Sequence, residues 1–231
     1  MIEILRLHET DQDPAVERCA EVLGRGGLVV LPTDTVYGLA ARVDMPEAVA
    51  AVFALKGRDN QKALVVMVSS SGEAEKLAAP SERGLMRRLG AALWPGPLTL
   101  VAKAGDIPWK ESIAPGSDTL GLRVPDSPFL LRLLEVSGPL AVTSANLAGR
   151  PAPVSFEEID AGLLGAVGFA IDGGGRGSGK PSTIVEIEGN GIKVLRLGEI
   201  GEDELREALM HGHMDRRPRP AVSRTNGEGL I

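Results

Sequence analysis

Apolar and polar positions along the chain follow two periods. Met1–Leu7 alternates them in steps of two, as a strand does. Asp13-Pro14 then opens a stretch with Val16, Cys19, Ala20 and Leu23 at helical spacing, stopped by Gly24, Gly26 and Gly27, which predicts a capped amphipathic helix. Leu28–Leu31 is apolar throughout and predicts a buried strand. Pro46 suits a first helical turn, and Val49, Val52 and Phe53 share the face of a helix running to Lys56 and Arg58. The same reading places strands near 63–68, 98–103, 121–124, 140–143 and 167–171, and helices near 81–93, 127–136, 155–164 and 203–210. Gly189-Asn190-Gly191 divides two strand-like runs at 182–187 and 192–197, and residues tolerant of positive φ predict a hairpin there. Helices interleaved with strands, one pair of them antiparallel, predict an α/β (α+β) fold on a mixed sheet.

From His211 onward the chain is rich in Arg, Pro, Gly and Ser and nearly free of large apolar residues. The expectation is one domain over 1–210 and a disordered C-terminal tail over 211–231. A chain of 231 residues with 43% hydrophobic and 24% charged residues has enough material for that one core. No apolar run approaches the roughly 20 residues of a membrane span, and the N-terminus lacks the order of a secretory signal. The expected location is therefore cytoplasmic, with no membrane partner. Cys19 is the single cysteine and sits on an apolar helix stripe, so packing is its expected role. A net charge of −6 argues against a broad phosphate-gripping surface but allows a local basic pocket. His8, His211 and His213 lie near the ends, away from every polar cluster, which argues against a histidine triad or metal site.

Several short segments could carry chemistry. Thr33, Asp34, Thr35 and Tyr37 crowd two hydroxyls, a carboxylate and a phenol into the segment that leaves the strand at Leu31. Loops at strand ends hold ligands in α/β proteins, although a turn capping a helix would look the same. Lys56, Arg58 and Lys62 gather cations that match phosphate oxygens, or else decorate a solvated helix end. Trp94-Pro95-Gly96-Pro97 reads as structural. Arg123 stands in an otherwise apolar strand and needs an anion, from the protein or from a ligand. Ser144 and Asn146 emerge together after an apolar strand, as nucleotide contacts or as a capping turn. Gly174–Lys180 spells G-x-x-x-x-G-K, but Pro181 replaces the magnesium-binding hydroxyl and Ser182–Ile187 looks like a strand where a P-loop needs a helix. A glycine-rich cover over a site is the preferred reading.

Taken in order, Pro32–Leu39, Lys56-Gly57-Arg58, Trp94–Thr99, Arg123-Val124-Pro125, Ser144-Ala145-Asn146 and Pro181-Ser182-Thr183 resemble the YrdC-like family of threonylcarbamoyl-AMP synthases, in its short bacterial form. The resemblance covers about residues 10–200. It implies a twisted mixed sheet flanked by helices around a large concave cavity, and an enzyme that converts L-threonine, bicarbonate and ATP to threonylcarbamoyl-AMP and pyrophosphate. It also implies that Lys56, Arg58, Ser144 and Asn146 form the catalytic set. ATP would meet Arg58, Lys62, Thr119, Ser144 and Arg196; threonine would meet Thr33, Thr35, Tyr37, Arg123 and Ser182. Magnesium would arrive with ATP, with no metal ligand from the protein. The product would pass to a separate tRNA threonylcarbamoyl transferase complex, with contact to tRNA as a further implication. Departures from the family pattern fall at Asp59, Ala63-Leu64, Met67 and Ala152. Replacing Lys56 by Ala is expected to abolish activity and leave folding intact. The competing readings are an RNA-binding or ribosome-assembly module of the same shape, and a carbamoyl-transfer relative, whose cysteine motifs this chain lacks.

Overall fold

The computed structural model describes residues 2–7, 12–57, 63–175 and 178–211. In chain order its main elements are β1 (Glu3–Arg6), α1 (Asp13–Gly24), β2 (Val29–Leu31), β3 (Gly38–Arg42), α2 (Pro46–Lys56), β4 (Val65–Met67), α3 (Ser71–Leu77) and α4 (Arg83–Leu93). There follow β5 (Leu98–Lys103), α5 (Lys110–Ile113), β6 (Thr119–Arg123), α6 (Pro128–Ser137), β7 (Leu140–Ser144), α7 (Ala161–Ala166), β8 (Phe169–Asp172), β9 (Thr183–Glu188), β10 (Gly191–Arg196) and α8 (Glu202–His211). Among the described residues the strands form one mixed sheet in the order β1-β8-β2-β3-β7-β4-β6-β5-β9-β10.

Strand alternation divides this sheet into two faces with different fates. Leu39, Ala41, Val66, Leu100, Leu122, Ala141 and Val185 point into the larger core, together with Val49, Val52 and Phe53 of α2 and Met86 and Leu89 of α4. On the opposite face Val29, Leu31, Ala40, Val142, Phe169 and Ile171 meet Val16, Cys19 and Leu23 of α1 and Phe129, Leu130 and Leu133 of α6. Each Val, Leu, Ile, Met or Phe side chain taken fully out of water contributes on the order of 1.5–3 kcal/mol, so both helices are fastened by their apolar stripes. Helices α1 and α6 thus cover the second face over β8, β2, β3 and β7. Towards β4, β6, β5 and β9 the same face lines a cavity, and Met67 and Val142 belong to both the second core and the cavity wall.

Cys19 is fully buried in the α1 stripe, and burial pushes its thiol up to about 12. At pH 8 only about one molecule in ten thousand would carry the reactive thiolate. Folded protein should therefore resist alkylation by iodoacetamide at pH 8 and react promptly once urea unfolds it. Equal rates in both states would show that the α1 stripe does not close over Cys19.

Three local expectations are corrected. The segment after Leu31 caps no helix; it is the turn joining the antiparallel strands β2 and β3. The helix expected at 155–164 is a 3-10 turn at Phe156–Glu158 followed by α7, because the Asp160 carboxylate caps a new start, accepting from Gly162 N at 2.8 Å and Leu163 N at 3.1 Å. Helix α3 was not anticipated, although Ser70 and Glu73 have capping-box spacing: Ser70 accepts from the Glu73 amide, and the Glu73 carboxylate accepts from Ser69 N, one residue before the cap, at 3.0 Å. The hairpin expected around Gly189-Asn190-Gly191 is β9–β10, so the residues after Pro181 form a strand and not a P-loop helix. The expected tail lies outside the described residues from 212 on, as do Arg176 and Gly177 of the glycine-rich segment.

Candidate active site

The β2–β3 turn is organised by one hydroxyl. Thr33 Oγ1 donates to Val36 O at 2.6 Å and accepts the amides of Thr35 at 3.1 Å and Val36 at 3.2 Å, which locks the turn and buries both threonines. Thr35 Oγ1 in turn accepts from Arg123 Nη1 at 3.1 Å. Arg123 also donates to Gly96 O at 3.1 Å and to Asp34 Oδ1 at 2.7 Å. The anion that this buried guanidinium required is thus supplied by the protein.

Tyr37 was expected to meet threonine, and its one polar side-chain group is the phenol hydroxyl. The structure commits that group elsewhere: fully buried, it donates to Gly174 O at 2.7 Å and accepts from Gly173 N at 2.9 Å. A buried phenol needs such partners, and Tyr37 reaches the cavity only as part of its wall.

Beside the β2–β3 turn, α2 ends at Lys56 and delivers its ammonium beneath the end of β7, where Ala145 N donates to Tyr37 O at 2.8 Å. Lys56 Nζ donates to Ser144 O at 2.6 Å, Asn146 O at 2.5 Å and Asn146 Oδ1 at 2.8 Å. Ser144 Oγ donates to the same Asn146 Oδ1 at 2.5 Å, and Asn146 Nδ2 reaches Arg150 O. The Lys56, Ser144 and Asn146 set is therefore one knot, and Lys56, only 4% exposed, is its centre. Against the expectation of intact folding, this geometry predicts that Lys56→Ala also loses some stability, since Asn146 O gives up its ammonium partner.

At the far side, Arg196 donates to Ser182 O at 2.8 Å, and Ser182 Oγ lies 2.9 Å from Thr99 Oγ1. The β9–β10 pairing shifts register between Val194 and Arg196, so that Arg196 faces Ile184, a cavity residue, instead of the core position Thr183. This bulge turns the guanidinium toward the cavity. Burial, with the nearby charge of Arg123 adding to it, draws the Arg196 pKa below its ordinary value. No carboxylate pairs with Arg196 among the described residues.

The backbone makes that corner tight. A methyl group at Gly198 would sit 2.1 Å from Pro181 O and 2.7 Å from Ser182 O. Gly198→Ala should therefore cost about 1–3 kcal/mol in denaturant unfolding and displace Ser182 from the cavity. An unchanged unfolding midpoint would contradict this close approach.

These walls enclose a cavity of about 460 Å³. Of the residues expected to form the site, Thr33, Thr35, Tyr37, Lys56, Arg123, Ser144, Asn146, Ser182 and Arg196 all line it. Arg58 and Lys62 lie outside the described residues. Thr119 is not among the lining residues; it stands at the other end of β6 from Arg123, where its hydroxyl lies 3.0 Å from Ser117 Oγ. Met67 and Ala152, both departures from the family pattern, line the cavity as well. Thr99 and Arg150 were missed. Arg150 had a signal, a cation in the glycine-containing loop that follows Ser144-Ala145-Asn146.

A family model described as telomere recombination, that of Sua5/YciO/YrdC, matches residues 21–198. The chain belongs to this family. A threonylcarbamoyl-AMP synthase of Bacillus subtilis is 32% identical over 208 residues, covering 88% of this chain and 59% of the relative. A Mycobacterium tuberculosis relative is 39% identical over 185 residues, covering 80% of this chain and 84% of its own length. Among solved structures, Pyrococcus abyssi Sua5 complexed with L-threonine superposes with a TM-score of 0.81 at 32% identity, covering 91% of this chain and 62% of that one. The chain thus spans about three fifths of the length of some Sua5/YciO/YrdC relatives and most of the length of others.

Proposed function

We propose that this chain is an L-threonylcarbamoyladenylate synthase, a nucleotidyltransferase acting on L-threonine, bicarbonate and ATP. The observation that supports this reading is a single cavity lined by Arg123, Thr35 and Ser182 together with Lys56, Ser144 and Asn146. The P. abyssi structure holds L-threonine, and the curated relatives at 32% identity carry the synthase name. An amino acid carboxylate is matched by the Arg123 side and a triphosphate by the cations and hydroxyls around it.

The amine of threonine attacks bicarbonate to give a carbamate and water. A carbamate oxygen then attacks the α-phosphorus of ATP, and the bond to the β-phosphate oxygen breaks, releasing pyrophosphate. Negative charge gathers in both steps, so fixed donors and positioning carry the rate and no covalent protein intermediate is needed. Lys56 holds Ser144 and Asn146 in place and contributes positive charge; Arg196 faces the phosphates. Among the described residues no group of three or more His, Cys, Asp or Glu could hold a metal ion. Magnesium would enter on the triphosphate, where it would neutralise the departing pyrophosphate.

The product is an activated mixed anhydride, and handover to a separate tRNA threonylcarbamoyl transferase complex, in the cytoplasm, is part of this proposal by family likeness. No helix among the described residues is long and apolar enough to cross a membrane. Purified protein given ATP, labelled bicarbonate and threonine should release pyrophosphate only when all three are present. Threonine-independent release, or none, would overturn the reading; an RNA-binding module would give none.

A further inference from the structure

The two arginines of the cavity are unequally provided for. Arg123 is 4% exposed and uses three of its N–H groups on Gly96 O, Thr35 Oγ1 and Asp34 Oδ1, leaving the rest available to a ligand. Arg196 has no acidic partner among the described residues. Asp34 reaches Arg123 from outside the site: it is not among the cavity-lining residues but borders a separate pocket of about 210 Å³ with Pro32, Asp126 and Pro128. Its side chain is 11% exposed, and its Oδ2 finds no hydrogen-bond partner among the described residues.

Two guanidiniums brought close in a partly buried site repel, and an unfixed arginine would swing away from its neighbour. Thr35 and Gly96 contribute only neutral acceptors to Arg123. The charge that holds Arg123 beside Arg196 therefore comes from Asp34. We infer that Asp34 is a positioning residue for the amino acid substrate: it fixes the Arg123 guanidinium so that its remaining N–H groups meet the carboxylate, without touching the substrate itself. This rests on the reading of the cavity given above and adds to it a residue whose effect falls on one substrate alone.

The test is steady-state kinetics on Asp34→Asn, which keeps the shape and an acceptor but removes the charge. The KM for threonine should rise by about tenfold or more, with the KM for ATP within about twofold and kcat at saturating threonine within about threefold of the parent. Asp34→Glu, which restores the charge, should recover at least half of the lost threonine affinity. Parallel rises for both substrates, or an unshifted threonine KM, would overturn the inference while leaving the synthase reading intact. The absence of threonine-dependent pyrophosphate release by the parent protein would instead remove that reading. Should Asp34→Asn fail to yield folded protein, Asp34→Glu decides: a threonine KM within about threefold of the parent supports the role, and one raised alongside that for ATP refutes it.

Discussion

Lys56→Ala protein is expected to release threonine-dependent pyrophosphate about a hundred to a thousand times more slowly than the parent, the range seen when one preorganised electrostatic donor is removed from an active site. The geometry adds a second consequence. Asn146 O loses its ammonium partner, whereas Ser144 O keeps the Asn146 amide and Asn146 Oδ1 keeps the Ser144 hydroxyl; one acceptor left unsatisfied away from water costs on the order of 1–3 kcal/mol. Thermal unfolding should fall with activity, and rates must be compared well below the new midpoint. If activity collapses while the melting temperature stays at the parental value, Lys56 acts on the substrate alone; if both are unchanged, the assignment of this residue fails.

The largest loss of stability should come from Arg123→Met. Removing one member of a buried pair leaves the other charge without compensation, at a cost of about 3–5 kcal/mol. Urea unfolding measures this directly. The Asp34→Asn/Arg123→Met double variant, which removes both charges, should be more stable than Arg123→Met alone. A double variant less stable than either single one would show that the 2.7 Å contact between Asp34 and Arg123 is incidental.

Much of this site could be read from the chain because it is built from strand ends. Apolar runs such as Leu140–Val142 announce a strand, and the polar residues that follow, Ser144 and Asn146, must emerge at its edge. What stayed hidden depends on distance. Tyr37 meets Gly174, and Asp34 meets Arg123, only after the sheet has assembled in an order that local patterning does not encode. Arg196 was assigned to a nucleotide by family likeness, but its facing direction comes from a bulge, which no alternation pattern in the hairpin predicts. Helix α7 illustrates the converse: the helical period was present, and a single cap at Asp160 overrode its expected start.

Because core and cavity occupy opposite sides of the same strands, Val66 and Met67, or Leu122 and Arg123, are neighbours in the chain with unrelated duties. Losing one residue from β4 or β6 would exchange those duties, sending an arginine into hydrocarbon and a leucine into the binding surface. Divergence of this surface is thereby confined to swapping side chains at fixed positions, while changes in length are left to the connecting loops.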